Sequence, residues 1–327
     1  MRIAVVGVGA TGARAARQLA STDGVMTVVV TDTDAVTRRK VADLLGPQAE
    51  STAEAVPEAD VVLLATPAGT QADLAAQALR QGSSVVTTAD DVGDVRALLD
   101  LGPEATERGS TVVVGAGFAP GLTCLLARHA VAALDAVDEV HVAKVGTGGP
   151  ACAEQHHRAL GSDGLDWRDG GWVARSGGSG RELCWFPEPV GGRDCYRAAM
   201  PDPLLLVDAF GPLERVTARQ AANRRDRLTA RLPMLRRPHP EGGPGAIRVE
   251  VRGSRAGRRD VVVYGAMDRP AVAAGAVAAV TARAVADGTV GRRGAFGLAA
   301  LEDPVPLLAD LAERGIRAAA FEGDAAV

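Results

Sequence analysis

The chain has 327 residues, 47% hydrophobic and 23% charged, with a formal net charge of −4. That length accommodates two domains of about 100 to 200 residues, and the composition is that of a globular chain, not a disordered one. The acidic balance and 3% aromatic content offer little to a phosphate backbone or to stacked bases, which excludes nucleic acid as an expected partner.

Arg2 to Val6 is a short apolar run that meets glycines at once and then an Ala/Arg/Leu helical pattern from Ala10 to Leu19. Val25 to Thr31 reads as a second strand, Ala35 to Leu45 as a helix and Asp60 to Ala65 as a third strand. Helix Gln71 to Gln81, strand Ser84 to Thr88, helix Val92 to Arg108 and strand Thr111 to Gly115 continue the alternation. Continuous apolar strands alternating with helices predict a doubly wound parallel sheet covered on both faces, an α/β fold of the Rossmann type.

The rhythm breaks after Pro120. A helix from Leu122 to Leu134 and a strand from Glu139 to Val145 lead into a glycine-rich region that holds all three Trp residues. Ile247 to Val251 and Asp260 to Tyr264 flank a turn, and Arg248, Glu250 and Arg252 alternate with Ile247, Val249 and Val251, as in a half-exposed antiparallel hairpin. A helix from Pro270 to Ala286, apolar all round, must be buried in the fold or in an interface, and a last helix runs from Pro304 to Arg314.

Gly7, Gly9 and Gly12 form G-x-G-x-x-G between the first strand and the first helix. The first glycine permits the tight turn, the second lets a pyrophosphate approach the backbone, and the third lets helix and strand pack closely, with Ala10 and Thr11 at the helix mouth. Asp32 ends the second strand twenty residues after Gly12, where a carboxylate can accept hydrogen bonds from the adenosine ribose. It favours NAD over NADP, while Arg38, Arg39 and Lys40 nearby keep NADP open. Asp32 or Asp34 would also cap the next helix. Thr66 and Pro67 end the third strand at the edge where open α/β sheets bind ligands.

Asp90 and Asp91 follow a strand end, where Asp90 can exchange a proton with a substrate amine and Asp91 can orient it, with a cap on the helix at Val92 as the alternative for either. Glu154, His156 and His157 cluster at the start of a helix from Cys152 to Leu160, and adjacent histidines cannot share one helix face, so one at most enters a cleft as an acid or base. Arg193 and Tyr196 can grip a substrate carboxylate, with a strand-edge ion pair as the alternative. Arginines at 215, 219, 224, 225, 227, 231, 236 and 237 concentrate positive charge, as a funnel for acidic substrates or a solvated face. Cys124, Cys152, Cys184 and Cys195 make no C-x-x-C pair and no C-x-x-H spacing, so no metal site is expected. Met1-Arg2 enters the first strand pattern without a leader-like succession and no apolar run reaches about 18 residues; a cytoplasmic protein without membrane contact is expected.

Gly115-Ala116-Gly117-Phe118-Ala119-Pro120-Gly121-Leu122, after the last central strand, resembles the G-x-G-F-x-P-G-L segment of saccharopine dehydrogenase-like oxidoreductases, a family that includes carboxynorspermidine dehydrogenases. Ala119 departs from the Asp of many members. The resemblance covers residues 1–135 well and the C-terminal hairpin and helices loosely. It implies a dinucleotide domain, residues 1–121, completed by about 268–327, and an α+β substrate and dimerisation domain, residues 122–267; it also implies that Thr87, Thr88, Gly117 and Phe118 border nicotinamide, that the chain is a homodimer, and that hydride moves to or from a C–N bond of an amino-acid-derived substrate. A dehydrogenase of another amino acid or a sugar on the same plan, and a non-catalytic NAD(P)-binding sensor, are the alternatives. Lys144 lies outside the E-K-P context expected of the glucose-fructose oxidoreductase type.

Overall fold

The computed structural model describes residues 1–234 and 237–321. The first half alternates β1 (Arg2–Val6), α1 (Ala10–Ala20), β2 (Thr27–Thr31), α2 (Ala35–Leu45), β3 (Ala49–Ser51), β4 (Val61–Leu64), α3 (Gln71–Arg80), β5 (Ser84–Thr87), α4 (Val92–Leu99), α5 (Gly102–Glu107) and β6 (Thr111–Val114). Val61–Leu64 and Thr111–Val114 are buried at every position, because helices cover both faces of the sheet. All pairings in this sheet are parallel. The expected single helix from Val92 to Arg108 is two helices. Pro103 has no backbone N–H to donate and takes the first turn of α5, so the chain breaks between Leu99 and Gly102.

The second half comprises α6 (Leu122–Val131), β7 (Ala136–Val145), α7 (Pro150–Gly161), β8 (Gly164–Arg168), β9 (Gly171–Arg175), β10 (Glu182–Trp185), β11 (Gly192–Arg197), α8 (Asp202–Phe210), β12 (Arg215–Ala221), α9 (Arg224–Thr229), β13 (Gly245–Arg255), β14 (Arg258–Asp268), α10 (Pro270–Ala286), β15 (Gly294–Gly297), α11 (Val305–Glu313) and β16 (Ala318–Ala320). The first sheet runs β15-β6-β5-β4-β1-β2-β3, and the second runs β10-β11-β12-β7-β13-β14-β16 with β8 on β12 and β9 on β8. Strand β15, which its short Gly-Ala-Phe-Gly sequence concealed, pairs with β6 and extends the first sheet. Helix α10 lies against α1, β4 and β5, so its uniformly apolar surface is buried within the fold. The glycine-rich region contains the β8–β9 hairpin, pinned by an edge-to-face contact of Trp167 and Trp172 at 5.0 Å between ring centroids.

Register sets the position of the site. Val6 lies beside Thr31 and Leu64, and Leu64 beside Thr87, so β1, β2, β4 and β5 end level at one sheet edge. In β7, Val140, Val142 and Lys144 share one face by the two-residue period, and that face packs toward α6 and the main core. Glu139 and His141 take the other face, where His141 Nε2 is 2.8 Å from Glu139 Oε2 and Nδ1 is 2.9 Å from Thr217 Oγ1. Among the described residues no helix is long and apolar enough to cross a membrane.

Candidate active site

A cleft of about 830 Å³ lies along the edge where β1, β2, β4 and β5 end, roofed by the loop from Gly146 to Pro150 and the start of α7. Gly7 has φ +84, and a Cβ there would sit 2.8 Å from the carbonyl oxygen of Ala65. A Cβ on Gly12 would lie 1.8 Å from the Gly7 oxygen, so α1 can approach β1 only with glycine at that position. Gly9 differs: nothing stands within 4 Å of its Cβ direction, and it lines the cleft with Ala10 and Thr11 at the amide-bearing end of α1. This is an open cradle with backbone donors, the arrangement that suits a pyrophosphate.

Asp32 also lines the cleft, and its two carboxylate oxygens accept from Val8 N at 2.8 Å and Asp34 N at 2.9 Å. Asp34, not Asp32, caps α2, through Val36 N. The same division holds at Asp90 and Asp91. Asp91 caps α4 by accepting from Gly93 N and Asp94 N and takes a third hydrogen bond from Gln155 Nε2, whereas Asp90 faces the cleft. Thr66, Pro67, Thr88, Gly117 and Phe118 line the cleft as well. Thr87 is fully buried beneath it and its hydroxyl accepts from Gly115 N.

The far end of the cleft brings together Asp90, Lys144, Cys152 and His156. Lys144 is only 3% exposed and its Nζ lies 3.4 Å from the carbonyl oxygen of Ala119. Cys152 and His156 stand four residues apart on one face of α7, and Cys152 Sγ is 3.9 Å from Asp90 Oδ2. Burial pushes the Asp90 carboxyl above the usual carboxylate range, with the Lys144 charge opposing. Burial, reinforced by Lys144, holds the His156 imidazole well below its ordinary value, so it is neutral near pH 7. Burial and the neighbouring Asp90 push the Cys152 thiol up to about 12.

Besides Asp91, which caps α4 and is absent from the cleft lining, and Thr87, buried beneath it, three expected site residues fall elsewhere. His157, one residue and about 100° around the helix from His156, turns away and its Nε2 lies 2.8 Å from the carbonyl oxygen of Leu232. Arg193 is exposed on β11 and donates to the carbonyl of Gly192, so it grips nothing in the cleft. Tyr196 is buried with Leu160 and Ala230, under the Arg227 guanidinium at 4.3 Å from its ring centroid. The arginine run is likewise dispersed into local structure: Arg219 is buried beside Glu182 at 3.1 Å and Asp166 at 3.8 Å, and Arg236 lies outside the described residues. Sequence reasoning missed Lys144 and Cys152 as members of the site. The hint for Lys144 was its phase, since a lysine in register with Val140 and Val142 occupies a buried position.

Residues 2–91 match the family model described as NADP oxidoreductase coenzyme F420-dependent. No curated protein matches the chain. Among solved structures, the chain is similar to saccharopine dehydrogenase (L-Glu forming) from Saccharomyces cerevisiae, with a TM-score of 0.72, 16% identity, and coverage of 98% of this chain and 100% of that one. It is also similar to the DAP dehydrogenase of C. glutamicum in complex with DAP, with a TM-score of 0.50, 18% identity, and coverage of 96% of this chain and 98% of that one. The fold is therefore that of a Rossmann dehydrogenase with a second, mixed-sheet domain.

Proposed function

We propose that this chain, which shares its fold with saccharopine dehydrogenase, is a nicotinamide-dependent oxidoreductase acting at a C–N bond of a small amino-acid-derived substrate. One observation carries the reading: a single cleft joins the glycine cradle and Asp32 at one end to Asp90, Lys144 and His156 at the other. Residues 1–121 with α10 and β15 are the dinucleotide unit in this reading, and the second sheet supplies the substrate end. Gly9 and Ala10 would face the pyrophosphate, Asp32 the ribose hydroxyls, which favours NAD, and Thr88, Gly117 and Phe118 the nicotinamide side. A bound nicotinamide supplies the hydride acceptor or donor.

The chain's own residues then need only position a nitrogen-bearing carbon, exclude water and handle one proton. Lys144 Nζ, buried at the cleft end, gives the proton to or takes it from the substrate nitrogen. Asp90 lines the same end of the cleft, and Ala119, Pro120 and Pro150 wall it with apolar surface. A homodimer follows the family resemblance.

Thermal melting with NAD+, NADH, NADP+ and NADPH tests the reading, because a ligand at 100 times its Kd stabilises the native state by about 2.7 kcal/mol. A rise with NAD+ or NADH that Asp32→Ala removes is the expected result. No rise with any of the four would overturn it. Asp32→Ala also deprives Val8 N and Asp34 N of their acceptor, so the ligand-free variant melts lower and is compared with itself.

A further inference from the structure

We infer that Asp90, Cys152 and His156 form a site for one divalent transition-metal cation of the zinc type, with a coordination position open to the cleft. One donor atom from each residue lies within 4.8 Å of the other two. Two come from one face of α7 and the third from the loop after β5, so the site would tie the second domain to the first. A thiolate, an imidazole and a carboxylate are the donors that borderline cations select. With metal bonds of about 2.0 to 2.3 Å, a tetrahedral centre sets donors roughly 3.3 to 3.6 Å apart. The existing 3.9 Å from Cys152 Sγ to Asp90 Oδ2 is close to that, and the remaining contraction is within reach of side-chain rotation.

A second observation points the same way. His156 is 7% exposed and lines the cleft, yet among the described residues neither of its ring nitrogens has a hydrogen-bond partner. Those nitrogens open on the cleft, where an imidazole without a protein partner is free to bind a metal. The charges also balance. On binding a dication, the Asp90 carboxyl and the Cys152 thiol would release their protons and neutralise it. Three protein donors and one open position are the pattern of a catalytic and not a structural zinc site.

This inference rests on the reading above that this end of the cleft takes the substrate, whose nitrogen or oxygen would occupy the open position. No two-residue spacer marks the site, because the ligands on α7 are spaced Cys-x-x-x-His, one helical turn apart.

Chelator-stripped protein titrated with Co2+ tests the site. We expect saturation at one Co2+ per chain, a thiolate-to-cobalt charge-transfer band in the near ultraviolet, tetrahedral ligand-field bands in the visible, and displacement by Zn2+. Cys152→Ser abolishes the charge-transfer band, His156→Ala and Asp90→Asn weaken Zn2+ binding on the order of tenfold or more, and Cys184→Ser leaves all of it intact. Absence of the band in the parent protein, or its survival in Cys152→Ser, overturns the site. Melting of the same samples with NAD+ keeps the two proposals apart and reports folding of each variant. A dinucleotide shift without cobalt binding sinks the metal site alone, and cobalt binding without a dinucleotide shift upholds the site and sinks the oxidoreductase reading.

Discussion

Lys144 Nζ lies 3.4 Å from the carbonyl oxygen of Ala119, so the last strand turn of β7 and the loop after β6 share one buried ammonium. The contact joins the two sheets at the end of the cleft. It also places the charge beside Asp90, Cys152 and His156, each of which feels it.

Replacing that ammonium separates chemistry from cofactor binding. Lys144→Met is expected to lower kcat by about 10² to 10⁴ on any amine–imine pair the parent protein turns over, the usual range for loss of a proton-transfer group. Its melting rise with dinucleotide should persist, because the glycine cradle and Asp32 lie at the other end. Steady-state rates with unchanged kcat would remove Lys144 from the chemistry.

Gly9 and Gly12 are predicted to fail in opposite ways. An alanine at 12 drives its Cβ into the Gly7 carbonyl, which is backbone and cannot yield, so the ligand-free protein should lose about 1 to 3 kcal/mol of stability. An alanine at 9 meets no protein atom within 4 Å, so the fold is preserved and the methyl group projects where a pyrophosphate would sit. Melting curves with and without NAD+ check both: Gly12→Ala lowers the baseline, and Gly9→Ala keeps the baseline but loses the rise.

The packing of α10 on α1 gives a third test. A Cβ on Gly275 would lie 2.8 Å from Arg14 Cβ and 3.0 Å from Ala15 N. Gly275→Val should destabilise by about 1 to 3 kcal/mol by overpacking, whereas valine at the exposed position 288 should be strained by its φ of +82 without any such clash. Urea midpoints that fail to fall in Gly275→Val would show that the two helices are not in contact in solution.

Stability should also depend on pH through His141. Burial lowers its proton affinity and outweighs the Glu139 carboxylate, which raises it. Between that lowered value and the ordinary 6.5, the unfolded chain binds more protons than the folded one, so stability rises with pH across the window. The contribution is fully present above 6.5 and is lost as acid takes the pH down through the folded value. His141→Gln should flatten the slope of melting temperature against pH just below 6.5; an unchanged slope would assign it to other groups.

What the sequence by itself determined is local. The turn from β1 into α1 is written in Gly7, Gly9 and Gly12, and the parallel sheet in uninterrupted apolar runs, because steric demands on φ and burial on two faces act on consecutive residues. The position of Asp32 at a strand end follows from the same local count. What only the tertiary structure decided is which residues meet. Asp90 and Asp91 are chemically identical neighbours until α4 claims one as its cap, and His156 and His157 until the helix turn sends one outward. Lys144 becomes a site residue only because β7 ends at the cleft with Lys144 on the same buried face as Val140 and Val142. Arg193 and Tyr196 are carried by β11 away from the cleft, Arg193 to an exposed position and Tyr196 into a small buried cluster with Leu160 and Ala230. Long-range packing sets these outcomes, and no local periodicity encodes the distance between segments that fold together from far apart in the chain.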